Sequence, residues 1–256
     1  MRSCIMQVTI KRVIFFCLLL AIWQGLVAME IWPESMIPSP LSVGKSLYAG
    51  VKDFTLVYDI LASFRHLFIG LFLSIVIGTA LGLLLAKSKT ADETIGAMVL
   101  ALQSVPSIVW VPLAIIWFGF GELSIIFVVV IGGTFVMTMN IRTGIKNVDP
   151  LFVNAAQTMG AKGADLFWHV TLPASVPHAV TGLRLAWAFS WRALMAAELL
   201  STGPGLGYTL SYASDFNNMS LVIGIIIIIG FIGSCVDQLV FQKIEEKVLT
   251  RWGLQQ

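Results

Sequence analysis

Six apolar runs, each long enough to cross a bilayer as a helix, constrain the fold of this chain more than any other feature. A helix needs about 20 apolar residues to span the hydrocarbon core. With 57% hydrophobic and 12% charged residues, the chain has about half the charge of a typical soluble domain, which excludes a soluble enzyme. The predicted spans are residues 13–29, 64–86, 97–118, 123–141, 177–200 and 221–241.

These runs do not alternate in polarity, as the strands of a membrane barrel would. We therefore predict an all-α membrane protein with one transmembrane domain covering residues 1–256. The first run also fits a signal peptide, because basic residues precede it and Ala28 offers a cleavage site. Its length and the following Trp32-Pro33 favour a retained anchor at the membrane interface.

The distribution of basic residues predicts the orientation of the six spans. Lys and Arg concentrate in cytoplasmic loops. Eleven of them fall in the N-terminal tail, the second and fourth connections and the C-terminal tail, whereas three fall in the first connection. This asymmetry predicts that both termini are cytoplasmic. The third and fifth connections are predicted to be short or Gly-rich.

The fourth connection, residues 142–176, is predicted to form two short amphipathic helices on the cytoplasmic side. Asp149-Pro150 is typical of a helix start, with Asp as the N-cap and Pro in the first turn. Gly160 and Gly163 suit a turn, since glycine tolerates a left-handed backbone. The exposed apolar faces need a partner, and composition alone leaves lipid docking and protein docking equally open.

Polar residues within the fifth span predict a translocation path. At about 100° per residue, Arg184, Trp191 and Glu198 share one helical face. Arg192 lies deeper in the span, which makes it the best candidate to meet an anion. Snorkelling or local pairing is the alternative for Arg184 and Glu198. The predicted path residues are Arg192, Trp191, Met195, Glu198, Arg184, Gln103 and Ser104.

Other residue patterns predict packing rather than chemistry. Gly70, Ser74, Gly78 and Gly82 repeat every four positions, which favours close helix contact within the subunit or across a dimer. Pro106 and Pro112 are expected to kink the third span. No spacing of His, Cys or carboxylates indicates a metal site or a catalytic site, and the net charge of +2 without a basic block argues against nucleic-acid binding.

Several motifs together resemble those of bacterial ABC importer permeases. The segment 154–161, followed by Leu172-Pro173, is similar to the EAA loop of that family, with Asn154 where the family pattern has Glu. Ile37-Pro38-Ser39-Pro40, residues 117–122 and residues 203–208 resemble motifs of the sulfonate, taurine, nitrate and bicarbonate permeases. The resemblance covers most of the chain from Ile37 to Gly253.

The resemblance implies a type I ABC importer permease fold in a prokaryotic inner membrane. It also implies a second permease copy, two ATPase subunits and an extracytoplasmic solute-binding protein as partners. The chain has no Gly-x-x-x-x-Gly-Lys-Ser/Thr phosphate loop; it is therefore expected to bind no cofactor, while the partner ATPase uses ATP and Mg²⁺. The predicted ATPase-coupling residues are Asn154, Ala155, Ala156, Met159, Gly160, Ala161, Leu172 and Pro173.

The substrate that the resemblance implies is a small anion such as an alkanesulfonate, taurine, nitrate or bicarbonate. A vitamin precursor or another small organic solute is the alternative within the same family. An ATP-independent secondary transporter or channel is the alternative of another class, but it would favour an internal repeat or a self-sufficient ion site, and the sequence offers neither.

Overall fold

Eleven helical segments make up the part of the chain that the structure, a computed structural model, describes. This part is residues 2–253, without the side chains of residues 2–9 and residue 12. The helices are α1 (Arg2–Ala28), α2 (Pro40–Lys52), α3 (Thr55–Lys87), α4 (Lys89–Gln103), α5 (Ser107–Phe118), α6 (Glu122–Lys146), α7 (Pro150–Thr158), α8 (163–174), α9 (Val176–Leu199), α10 (Leu206–Asp215) and α11 (Met219–Arg251).

Three of these helices, α3, α6 and α11, are long and apolar enough to cross a membrane. Together, α4 and α5 pass the same test as one broken span. The apolar part of α1 is shorter, residues 13–28, whereas α9 has 24 residues but carries Arg184, Arg192 and Glu198. The chain is therefore a helical membrane protein with at least three apolar spans.

Helix α6 is the centre of the bundle, with α3 on one side and α9 on the other. In its apolar window 61% of the residues are buried, against 11% in α11, which packs on α2, α9 and α10 at the periphery. Helix α1 lies at the edge, where the Trp23 indole donates a hydrogen bond of 3.1 Å to the Pro38 carbonyl.

The small residues of α3 form its contact with α6, so their predicted packing role is confirmed within the subunit. A Cβ atom at Gly78 would lie 2.8 Å from the Thr134 carbonyl oxygen, and one at Gly82 would lie 2.7 Å from the Thr138 carbonyl oxygen. The Ser74 hydroxyl lies 3.0 Å from the Val130 carbonyl oxygen. Only small side chains allow the two backbones to approach this closely.

The predicted third span is broken rather than kinked. Helices α4 and α5 meet at 100° across residues 104–106. Pro106 lacks an N–H and disfavours a helical conformation at Val105, so the helix ends there. Pro112 causes no second bend, because it lies in the first turn of the α-helical part of α5.

The fifth connection is not a simple Gly-rich loop, since it contains α10. The cluster of glycines before Leu206 indicated a turn and concealed this helix start. Its first N–H groups find acceptors on other helices: the Leu206 N–H donates to Ser63 Oγ, and the Gly207 N–H donates to Glu198 Oε2.

Candidate functional site

The connection between α6 and α9 forms a helical hairpin, residues 150–174, at one end of the bundle. Asp149 caps its first helix, as the sequence predicts, because its carboxylate accepts a 2.8 Å hydrogen bond from the Leu151 N–H. Pro150 occupies the first turn, where a missing N–H costs nothing. We call this end of the bundle the hairpin end.

Two glycines with positive φ angles form the turn of the hairpin. Gly160 has a φ of 98° and Gly163 a φ of 56°, a region that other residues rarely adopt. The Ala161 N–H donates to the Ala156 carbonyl and closes the end of α7. The turn therefore fixes the angle between α7 and α8.

Apolar side chains remain exposed on this hairpin. The exposed fractions of Leu151 and Met159 are 68% and 88%, and Phe152 and Trp168 are also exposed. An exposed apolar surface of this kind is typical of a site that contacts another protein or the membrane.

The predicted coupling residues lie on both arms of the hairpin. Asn154, Ala155, Met159 and Gly160 are exposed, and Ala156, Ala161, Leu172 and Pro173 are half-buried. Ala155, Ala156, Met159 and Pro173 surround a shallow cavity of about 320 Å³, together with Phe152 and Trp252. Sequence reasoning missed Trp252, since it follows the last helix and is distant in sequence from the hairpin.

A groove of about 930 Å³ runs between α9 and α11. Four of the predicted path residues line it: Arg184, Trp191, Arg192 and Met195. Gln103 and Ser104 instead line a smaller cavity of about 210 Å³ at the break between α4 and α5. Ile108 of α5 lines the groove, while Ser107 lines the smaller cavity, so the broken span borders both spaces.

Arg184 is held by two carboxylates of α11. Its guanidinium donates to both oxygens of Asp237, at 2.9 and 2.8 Å, and to Glu245 at 2.8 Å. The Thr181 hydroxyl donates to the same Glu245 carboxylate. Sequence reasoning missed both acidic partners, although a lone carboxylate within an apolar run, as Asp237 is, signals such a pair.

Arg192 has a different environment in the same groove. Its side chain is exposed, and its guanidinium carbon lies 5.6 Å from the centroid of the Phe189 ring. No carboxylate lies within 4 Å of it in residues 2–253 as far as their side chains are described. The positive charge of Arg192 thus has no ion-pair partner among these side chains, whereas Arg184 is paired with two carboxylates.

Glu198 does not line the groove, and its contacts are those of the alternative, local pairing. It is fully buried, and its carboxylate accepts hydrogen bonds from the Ser63 hydroxyl at 2.8 Å and the Gly207 N–H at 3.0 Å. His66 Nδ1 lies 3.1 Å from the other oxygen. These contacts hold α3, α9 and α10 together at the end of the bundle opposite the hairpin.

Charged and aromatic contacts connect the base of the hairpin to the neighbouring helices. The Asp92 carboxylate of α4 accepts hydrogen bonds from Arg142 and Lys146, in the last turns of α6. The hydrogen bonds from Arg142 and then Lys146 hold the pKa of the Asp92 carboxyl well below its usual range. The Lys87 ammonium lies 4.1 Å from the centroid of the Phe167 ring of α8.

Metal chemistry finds no support in the described part of the chain, which contains no group of three His, Cys, Asp or Glu side chains that would hold an ion. His169 and His178 lie near the hairpin, whereas His66 lies beside Glu198. The candidate site therefore consists of a hairpin with exposed apolar side chains and a largely apolar groove that carries Arg184 and Arg192.

Comparison with known protein families gives a match over about two thirds of the chain. Residues 74–243 match the family described as the binding-protein-dependent transport system inner membrane component. The chain is 30% identical over 219 residues to the taurine transport system permease protein of Escherichia coli, covering 84% of this chain and 80% of that protein. It is 29% identical over 240 residues to a nitrate import permease protein of Synechocystis, covering 90% and 86%.

Solved structures with the same fold are ABC transporters. An inward-facing conformation of the MetNI methionine ABC transporter matches with a TM-score of 0.66 and 18% identity, over 77% of this chain and 97% of that chain. An amino acid ABC transporter matches with a TM-score of 0.64 and 16% identity, over 80% and 97%.

Proposed function

The chain belongs to the binding-protein-dependent transport system inner membrane component family, and from this premise we propose that it is the permease subunit of an ATP-driven importer for a small anion. It would act as a homodimer with two ATPase subunits, and a solute-binding protein would deliver the substrate from outside. The hairpin is the observation that carries this proposal, because a chain without a phosphate loop needs a surface on which an ATPase can dock.

The chemistry of the hairpin favours protein docking over lipid docking. A helix lying on lipid has a polar face rich in Lys and Arg, but from Leu151 to Ala174 the hairpin carries Lys162 alone as a basic residue. The cavity beside Ala155 and Met159 adds a recess that suits a protruding side chain of another protein. ATP-driven movement of an ATPase pair would then shift the hairpin.

Six crossings by one permease domain, residues 1–256, complete the proposed architecture. Helices α1 and α9 and the pair α4–α5 would join the three long apolar helices as spans. The N- and C-termini and the hairpin would then all be cytoplasmic. At about 1.5 Å per residue, the 24 residues of α9 reach about 36 Å, which is enough to cross a hydrocarbon core of about 30 Å.

The substrate class follows from the relatives and from the groove. Two relatives are named for taurine transport and for nitrate import, and both solutes carry negatively charged oxygen atoms. The uncompensated guanidinium of Arg192 supplies an attraction for anions on the groove surface. A contact with a single cation is weak enough to release the solute, as transport requires.

A pair of substitutions on α7 tests the coupling role of the hairpin. Ala155→Glu places a charge on the face that carries Phe152 and Met159, while Gln157→Glu places the same charge on exposed surface away from the cavity. We expect Ala155→Glu to lose the ATPase from the purified complex and to abolish ATP-dependent uptake, and Gln157→Glu to keep both. Uptake that persists in a purified permease without any ATPase would contradict the proposal and favour a secondary transporter.

A further inference from the structure

The short connector from Lys87 to Asp92 contacts both arms of the chain that enters and leaves the hairpin. Arg142 and Lys146, which contact Asp92, lie within eight residues before the hairpin begins at Pro150. Phe167, which contacts Lys87, lies on the returning arm. The connector therefore spans the base of the hairpin.

The contacts made by Asp92 fix the position of α4 relative to the end of α6. The Asp92 side chain is 12% exposed, and the two cationic side chains are 28% and 36% exposed. Arg142 uses two nitrogens on the carboxylate, and such paired hydrogen bonds fix the relative orientation of the two groups. The end of α6 cannot move relative to α4 without breaking this contact.

Helix α4 leads from this contact between Asp92 and α6 to the break in the third span. Asp92 begins a π-helical turn, Asp92–Gly96, a local widening that is frequent at functional sites. From Asp92 to Gln103 the helix extends about 17 Å, at 1.5 Å per residue. Its far end carries Gln103 and Ser104, which line the cavity at the break. A displacement of Asp92 would thus be carried along α4 to residues 103–106.

We propose that Asp92 and Lys87 are positioning residues that transmit movement of the hairpin through α4 to the broken third span. This inference rests on the proposed function, since it takes the hairpin as the element that an ATPase moves. Asp92 contacts the chain that enters the hairpin through ion pairs with Arg142 and Lys146. Lys87 contacts the chain that leaves it through a cation–π contact with Phe167. The two contacts together make the connector follow the hairpin as one unit.

A neighbouring ion pair supplies a matched control. Lys89 and Glu93 lie 3.8 Å apart, and their side chains are 90% and 65% exposed. Glu93 belongs to the same π-helical turn as Asp92 but faces solvent. Replacement of either carboxylate by its amide removes one charge from the same turn, so only the contact with α6 distinguishes the two variants.

The test measures distances between two spin labels, one on each copy, in the complex with the ATPase. The labels are placed at Lys162→Cys, on the hairpin, or at Ser104→Cys, at the break, with the native cysteines replaced by alanine. Each complex is measured without nucleotide and with Mg-ATP and vanadate. In the otherwise native sequence we expect both distances to change.

In Asp92→Asn we expect the change at residue 162 to persist and the change at residue 104 to fall to less than half. Lys87→Gln should give the same pattern, and this variant serves as the test if Asp92→Asn fails to assemble. The control Glu93→Gln should behave as the native sequence. Full movement at residue 104 in both Asp92→Asn and Lys87→Gln overturns the inference alone. An unchanged distance at residue 162 in the native sequence would instead show that the proposed function is wrong.

Discussion

Arg192 and Arg184 show how the environment of a side chain decides its role. They lie eight residues apart on α9 and line the same groove. Arg184 is neutralised by Asp237 and Glu245, so it holds α9 to α11. The side chain of Arg192 is exposed in the groove, so under the proposed function it is the residue on which anion transport should depend.

Arg192→Gln should therefore lower anion uptake without disturbing assembly. A hydrogen bond to a charged group is worth about 1.5–3 kcal/mol, which predicts a loss of at least about tenfold in uptake. Arg192→Lys keeps the charge but not the planar fork, so an intermediate rate is expected. The measurement is ATP-dependent uptake of labelled taurine and nitrate into vesicles, with the amount of bound ATPase as the control. Undiminished uptake by Arg192→Gln would exclude this role.

For individual residues, the sequence predicted which polar side chains lie within a span but not which other helices they contact. Helical spacing placed Arg184, Trp191 and Glu198 on one face, yet Glu198 is buried against Ser63 and His66. Its partners come from another helix, more than 130 residues earlier in the chain. A single helical wheel contains no information about such contacts.

The contact between the small residues of α3 and the backbone of α6 determines how tightly the central helices pack. Gly78→Ala should destabilise the protein, although alanine is the better helix former by about 1 kcal/mol. The added methyl group would lie 2.8 Å from the Thr134 carbonyl oxygen, which is backbone and cannot rotate away. Overpacking of this kind costs about 1–3 kcal/mol, so the net effect should be unfavourable.

Gly44→Ala on α2 is the matched control, because nothing lies within 4 Å of the added methyl group. We expect it to leave the midpoint of thermal unfolding in detergent unchanged or slightly higher, while Gly78→Ala lowers it. Equal increases of the unfolding midpoint in both variants would show that α3 and α6 can move apart at this contact without cost.

At the element scale, local signals predicted the hairpin well and the helix ends less well. Asp149-Pro150 and the two glycines specify the start of α7 and the turn through local backbone chemistry alone. The start of α10 depends instead on acceptors from α3 and α9. The bend of 100° at residues 104–106 also exceeds what a proline alone predicts, since the packing of α5 against α6 and α9 sets its direction.

Across the whole molecule, the structure groups several of the basic residues that the sequence assigned to one side of the membrane. Lys87, Arg142 and Lys146 meet at the hairpin end, and α11 brings Lys243, Lys247 and Arg251 to the same end through the contact of Glu245 with Arg184. Arg65 contacts Glu122 near the opposite end, beside the Glu198 cluster. This grouping supports a cytoplasmic hairpin end, since cations are retained on that side.

The orientation can be tested with single cysteines in a cysteine-free background. Lys162→Cys and Lys247→Cys lie at the hairpin end, whereas Lys45→Cys and Asp215→Cys lie on α2 and α10, the proposed outer side, and all four positions are exposed. A membrane-impermeant maleimide added to intact cells should label only residues 45 and 215, because the bilayer excludes the reagent from the cytoplasmic end. After permeabilisation all four should react, which shows that each thiol is accessible. Labelling of residue 162 in intact cells would show that the orientation is the reverse of the proposed one. The hairpin would then lie outside the cell, where no cytoplasmic ATPase reaches it.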